Sequence, residues 1–396
     1  MTLVLTACAS GGSPARPEPT ETPSADESIA QMDPVVLTFS DSNLETAAHG
    51  KAVSAFMEEV TKRTDGKITF DPYWGATLHP GTEALSAVES GLTDITYVSP
   101  GQFAEQLPIE VWLGKASVLA PESFPQSLVA GSAALGEIYQ SDPDIRAELA
   151  QYDARPLFYW QSAPFDALCT EPLEATSDAE GVSIRTGGGA WTGDAEALGM
   201  TNVFLPIVDL FESVQRGIIQ CVNVVPSVYM TTGLWDVAKF YHPIAFSPSS
   251  TGFVISDSVL QALPLEARRI IHDALPIFYI EMLQGTMTAY QRWATESPDE
   301  GVEFVDSSSL NDLMSEHHEE VVAGLSTGAP VSDPAGLIEE YQTKLDEWGA
   351  TLAEIGVPES GSAPEEVLRS YSDAIDDVPW DELRAAFAEA LAEYRP

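Results

Sequence analysis

Arg185 has the setting most suited to chemistry. It closes a short apolar run, Gly181-Val182-Ser183-Ile184-Arg185, followed by Thr186-Gly187-Gly188-Gly189 and then a helical segment from Trp191 to Leu198. A strand that runs through a glycine loop into a helix leaves this arginine beyond the strand's carboxyl end, where open α/β sheets bind ligands. The helix N-terminus offers free N–H groups and partial positive charge to an anion, and glycines let a ligand approach the backbone closely. The planar guanidinium fork matches a carboxylate with two hydrogen bonds. Two other roles stay open: a structural salt bridge to one of the many acids, or plain surface exposure. The glycine run does not match a phosphate-loop pattern.

The rest of the composition sharpens the contrast. The chain has 396 residues with 61 acidic and 18 basic side chains, a net charge of −43. Such a chain repels nucleic acid and anionic lipid surfaces, and it repels anionic ligands at long range, so an anion site needs a local basic group. Hydrophobic residues make up 44%, enough for two lobes with sizeable cores. No apolar run reaches the roughly 18 residues of a membrane span.

Other chemistry is poorly represented. There is no His-Glu-x-x-His. The histidines are scattered; His317-His318 with Glu319-Glu320 reads as the solvated face of a charged helix. No cysteine or histidine stands at metal-ligand spacing, so neither metal nor cofactor is expected. Trp74, Trp160 and Trp191 lie near strand ends or just after the glycine loop. Aromatic walls are common in small-ligand pockets, and each of the three equally suits a core. Phe204 reads as packing.

Of the three cysteines, Cys8 ends Leu5-Thr6-Ala7-Cys8, the pattern of a bacterial lipoprotein signal. Residues 1–8 then form a signal that lacks the usual basic start, with Cys8 lipidated and anchored to a membrane. Residues 9–34, rich in Ser, Pro, Thr, Glu and Gly, read as a disordered tether. Export favours disulfides. Cys169 and Cys221 fall in strands of one lobe and are candidates to pair, with two free buried thiols as the alternative.

Positioning these residues calls for an α/β architecture. Val35 to Phe39, Lys67 to Tyr73 and Asp94 to Val98 read as strands separated by helices, which gives a largely parallel sheet. The expected divisions are lobe I at 35–157 with a return segment near 245–263, lobe II at 158–244, a long helix over 264–300 that Pro276 should kink, and a helical region over 301–396.

Several segments also occur in a recognisable order. Phe56-Met57-Glu58-Glu59-Val60 leads to Thr64-Asp65-Gly66-Lys67-Ile68. Leu78 through Glu83 precedes Ala87-Val88-Glu89-Ser90-Gly91 and Asp94-Ile95. Glu180-Gly181-Val182-Ser183-Ile184-Arg185 precedes Ala197-Leu198-Gly199-Met200 and Leu205-Pro206, and Asp209 through Ile219 completes the set. Over roughly residues 35–300 the chain resembles the DctP family of extracytoplasmic solute receptors of TRAP transporters.

The resemblance implies a two-lobe periplasmic-binding-protein-like fold with a long helix bracing both lobes. It makes Arg185 the arginine that grips a ligand carboxylate, and Ser99 a polar ligand contact after the third strand, where a turn serine before Pro100 is the alternative. The family carries a ligand-binding asparagine in the strand after Gly217. Here the family's Asp-Gly is replaced by Gln220-Cys221 and Asn223 falls one place early; a one-residue shift turns a strand side chain to the other face, so a buried structural amide is the alternative. The implied function is capture of a small organic anion, a carboxylate foremost, for delivery to a TRAP membrane permease, with no catalysis. The implied location is extracytoplasmic, on the outer face of the cell membrane or in the periplasm. The alternatives are a substrate-binding lipoprotein of an ATP-driven importer and a secreted hydrolase.

Overall fold

A computed structural model describes residues 25–121, 123–359 and 364–396. Cys8 and the larger part of the 9–34 tether lie outside the described residues. The tether ends sooner than expected: Ala25–Gln31 is a helix, and its Ile29, together with Met32 just after it, is buried in the core.

Two sheets carry the molecule. Lobe I is built on β1 (Val35–Ser40), β2 (Ile68–Tyr73), β3 (Ile95–Val98), β4 (Ala154–Gln161) and β10 (Ser250–Ser256), in the order β2-β1-β3-β10-β4. Lobe II is built on β5 (Phe165–Cys169), β6 (Ser183–Thr186), β7 (Thr201–Phe204), β8 (Cys221–Val224), β9 (Phe240–Phe246) and β11 (Glu303–Phe304), in the order β11-β9-β5-β8-β6-β7. β1 pairs in parallel with β2 and β3, whereas β10 runs antiparallel to β3 and β4.

This pairing corrects the expected lobe boundaries. Residues 158–161 belong to β4 and so to lobe I, and β9 up to Phe246 belongs to lobe II. The crossings are 162–164 and 247–249, tied to each other where the Ser162 and Ser249 amides donate to the Ser249 carbonyl and Ser162 hydroxyl, both at 2.9 Å. The run Leu157-Phe158-Tyr159-Trp160 is buried on both faces, and such a run announces a central strand without naming its distant partner.

The bracing helix is in two pieces, Leu265–Asp273 and Leu275–Glu296. The break at Ala274 leaves Pro276 in the first turn of the second piece, where its missing N–H is harmless. That second piece spans both lobes. Phe278 stacks on Phe158 of lobe I at 3.7 Å, and Trp293 lies 5.2 Å from both Tyr229 and Tyr241 of lobe II. Each such aromatic, fully buried, contributes about 2–3 kcal/mol, so the helix fastens each lobe through apolar area.

The helices after residue 324 pack on the same framework. Tyr341, in Pro334–Ile355, donates to Gln161 Oε1 at 2.7 Å, and Tyr371, in Pro364–Asp377, donates to Asp166 Oδ2 at 3.2 Å. One bond reaches the end of β4 and the other the start of β5, on either side of a crossing. Among the described residues no helix is long and apolar enough to cross a membrane.

Candidate functional site

Strand direction places the site. The carboxyl end of β4 leads into the first crossing and that of β9 into the second. In lobe I, β3 and β1 run the same way as β4; in lobe II, β6 and β8 run the same way as β9 and opposite to β5. The carboxyl ends of β1, β3, β6 and β8 therefore all face the groove between the lobes.

Arg185 sits at that end of β6. It is 8% exposed, its Nε donates to the Leu205 carbonyl at 2.9 Å, and no carboxylate lies within 4.0 Å of its guanidinium among the described residues. Neither the salt bridge nor the surface position left open by the sequence is found there. Burial pulls its pKa below the usual arginine value, with the neighbouring Tyr229 opposing. An arginine remains charged nonetheless, so a largely desolvated cation lacks a counter-charge, a costly arrangement unless an anion supplies it.

The loop after Arg185 is held by its own chemistry. Thr186 donates to Asn202 at 2.7 Å and accepts from the Gly188 amide at 3.1 Å. Gly189 has φ of 62°, the left-handed region open to glycine. A Cβ on Gly187 would lie 2.6 Å from the Trp191 ring. Trp191 stacks on Phe165 at 4.6 Å, and its indole N–H donates to the Ser247 carbonyl at 2.7 Å. It thus ties the arginine loop to the second crossing segment.

Asn223 is turned away from Arg185. Arg185 lies beside Val222 and Ile184 beside Cys221 in the parallel β6–β8 pair. Neighbours in register share a face and alternate along the strand, so Asn223 shares the face of Cys221 and Ile184. Asn223 is 1% exposed; its amide donates to the Asp166 carbonyl at 3.2 Å, and its Oδ1 has no partner among the described residues. Cys169 and Cys221, directly opposite in the antiparallel β5–β8 pair, form a disulfide.

Lobe I brings two of the predicted tryptophans together. Trp74 packs on Phe39 at 4.8 Å, Phe39 on Phe253 at 5.4 Å, and Phe253 on Trp160 at 5.9 Å. Ser99 is half-buried just past β3, and its side chain does not cap the short turn Pro100–Gln102 that follows. Phe204, expected to pack, is 70% exposed on the edge strand β7.

Sequence reasoning missed His49. Its ring lies between Tyr97 at 5.5 Å and Trp160 at 5.6 Å, and its Nε2 meets Asp41 Oδ2 at 3.2 Å. Asp41 directly follows β1, and His49 opens the next helix, Ala48–Arg63. The rule that located Arg185, a polar residue just beyond a strand's carboxyl end, points to this pair as well. His317 and His318 also depart from expectation. They do not form a solvated face: they approach the buried Asp194 at 3.4 and 3.7 Å, and Asp194 accepts from the Ser247 amide at 2.8 Å. Among the described residues no group of three or more His, Cys, Asp or Glu is placed to hold a metal ion.

Comparison with known proteins bears on the family and the fold. The family profile DctP, described as bacterial extracellular solute-binding protein family 7, matches residues 39–323. A solute-binding protein of Roseobacter denitrificans is 25% identical over 179 residues, 45% of this chain and 52% of its own length. One of Chromohalobacter salexigens is 25% identical over 196 residues, 49% of this chain and 56% of its own length. The chain thus spans about half the length of these curated relatives.

Among solved structures, the Bordetella pertussis receptor DctP7, described as binding pyroglutamic acid, superposes with a TM-score of 0.65 at 16% identity, covering 78% of this chain and 99% of that one. A TRAP solute-binding protein of Bordetella bronchiseptica with bound mandelate gives 0.66 at 19% identity, covering 79% and 99%. One from a Sulfitobacter species with bound galacturonate gives 0.61 at 18% identity, covering 78% and 100%. These likenesses bear on the fold, whereas the profile match spans well over half of the chain. The chain belongs to the DctP family of bacterial extracellular solute-binding proteins, a family of receptors rather than enzymes.

Proposed function

We propose that this protein binds a small organic carboxylate between its lobes and delivers it, outside the cytoplasm, to a TRAP-type permease. The observation that carries the reading is Arg185: a buried guanidinium at the groove, with one backbone hydrogen bond and no acidic partner among the described residues. Support comes also from the structural neighbours, described with pyroglutamate, mandelate and galacturonate, all carboxylic acids. The anion meets the Arg185 fork, and the aromatic side chains of lobe I exclude water as the lobes close. Closure follows only from tighter binding to the closed state. The matches lend nothing to the importer or hydrolase readings.

A thermal-shift screen tests this, because a ligand bound only by the folded state raises the melting temperature. At least one acid from a panel containing pyroglutamate, mandelate and galacturonate should raise it for the wild type and not for Arg185→Ala. An equal rise in both proteins would overturn the role of Arg185. Lipidation of Cys8 would hold the receptor at the membrane surface; palmitate incorporation that persists in Cys8→Ala would rule that out.

A further inference from the structure

At the other pole of lobe I lies a second basic centre. Arg155 pairs with Ile255 at the amino end of β4, while Trp160, at the groove, pairs with Thr251. Five residues of extended strand separate Arg155 from Trp160, about 17 Å. Here a cavity of about 480 Å³ is lined by Arg146, Arg155, Arg268 and His272, together with Tyr139, Gln140 and the C-terminal residues Glu393, Tyr394 and Pro396. The volume suits a small molecule.

The three arginines come from separate elements. Arg146 is on the helix Pro143–Ala150, Arg155 on β4, and Arg268 on the helix Leu265–Asp273, where His272 lies one turn further on. In a chain with 18 basic residues against 61 acidic ones, chance rarely converges three guanidinium groups. Their charge is only partly balanced, since Glu393 is the one acidic side chain among the lining residues. Arg155 has Asp257 at 3.5 Å, but Arg146 and Arg268 have no carboxylate within 4.0 Å among the described residues. Arg268 Nη1 donates to Gln261 at 2.8 Å, while Arg268 Nε and His272 Nε2 are enclosed without a hydrogen-bond partner among the described residues. Burial lowers the pKa of Arg155, Asp257 opposes that shift, and the facing charges of Arg146 and Arg268 lower it further. Like charges gathered around one hollow are destabilising until an anion enters it.

We propose that this cavity is a second anion site, separate from the interlobe groove, for a compact dianion: a phosphate or sulfate group, free or as an ester. Three arginines surround one centre, which favours a doubly charged group over a monocarboxylate, and the guanidinium fork suits such oxygens.

Calorimetric titration of the full chain with inorganic phosphate, in chloride buffer of matched ionic strength, tests it. Saturable binding is expected, unchanged in Arg185→Ala. Arg146→Gln and Arg155→Gln should each weaken it about tenfold, the value of one charge-assisted hydrogen bond. Arg146 is exposed and not ion-paired among the described residues, so its variant remains informative even where Arg155→Gln lowers stability. Glucose 6-phosphate binding as tightly as phosphate would assign the site to esters; phosphate binding alone would assign it to the free ion. No saturable phosphate binding by the wild type, or binding that Arg185→Ala abolishes and Arg146→Gln leaves intact, would overturn the proposal.

Discussion

The two lobes offer a ligand opposite kinds of surface. Lobe I presents aromatic area, with Trp160, Tyr97 and Phe253 in mutual contact and His49 held by Asp41. Lobe II presents one buried cation, Arg185, on a loop pinned by hydrogen bonds. A molecule of net charge −43 cannot steer an anion to itself from afar. The difference suggests a division of labour. On the proposed reading, lobe II supplies the charge, and lobe I supplies the low-dielectric cover that strengthens it when water leaves. The sharpest test is Arg185→Ala. Calorimetry should show affinity for the cognate acid falling about 100-fold or more, because truncating one member of a buried charge pair strands the other. Arg185→Lys should lose less but still weaken binding, since the fork is gone. If a tryptophan substitution in lobe I cost more than Arg185→Ala, the division would be wrong.

The lobes also differ in how they are held. One wide apolar core joins lobe I, the bracing helix and the near face of the lobe II sheet, whereas the far face of that sheet has a smaller cluster that includes the Cys169–Cys221 disulfide. The bridge closes a 52-residue separation, and a loop of that size corresponds to about 2–4 kcal/mol. Replacing both cysteines with alanine should lower unfolding stability by that amount in denaturant titrations. Affinity should change little, because Cys221 faces away from Arg185. An affinity loss matching that of Arg185→Ala would show that the disulfide shapes the site itself.

Trp160→Phe probes the lobe I wall with less risk to the core. Phenylalanine keeps most of the contact with His49 and Phe253, so affinity should fall several-fold, about 1 kcal/mol. An unchanged Kd would make Trp160 core packing alone, and the cover would then fall to Tyr97 and His49.

How much of this was legible in the sequence follows the range of the interactions involved. The strand–glycine–helix unit at Arg185 is local, so residue order alone located it and its loop. The disulfide was legible because both cysteines fell in strands of one lobe. The membership of β4 was not, since its pairing with β10 joins residues nearly a hundred positions apart and a doubly buried strand carries no alternation to betray its neighbour. His317 and His318 were misread for a related reason. Their surrounding glutamates look solvated in sequence, and only the tertiary fold brings Asp194 to them. His49 was missed although the signal was local: Asp41 and His49 frame the turn after β1, the position already used to find Arg185.

The smallest effect expected separates the lobes by pH. In lobe I, Glu110 is buried, and its carboxyl accepts from Tyr139 at 3.3 Å and Tyr159 at 3.4 Å. Burial, aided by the charge of Glu148, pushes its pKa up to about 8. In lobe II, burial pushes His242 down to about 4. The folded protein therefore keeps a proton on Glu110 up to about pH 8, whereas the unfolded chain releases it near about 4.3. That contribution to stability is complete below the unfolded pKa and is lost as pH rises through 8. For His242 the unfolded chain binds the extra proton between about 4 and about 6.5, so its effect runs the other way and ends above that window. From pH 4.5 to 6.5 His242 opposes Glu110 and also Asp166 of lobe II, whose carboxyl burial raises to about 7. Above 6.5 His242 drops out; Glu110 and Asp166 act together to about pH 7, and Glu110 continues to about 8. Stability should fall there by about 1 kcal/mol per pH unit. Glu110→Gln, which keeps the shape and removes the titration, should visibly flatten that alkaline limb in denaturant titrations and leave the acid side nearly level, where Asp166 and His242 offset each other. A limb unchanged by Glu110→Gln would place the titration in lobe II, on Asp166, and reverse this part of the contrast between the lobes.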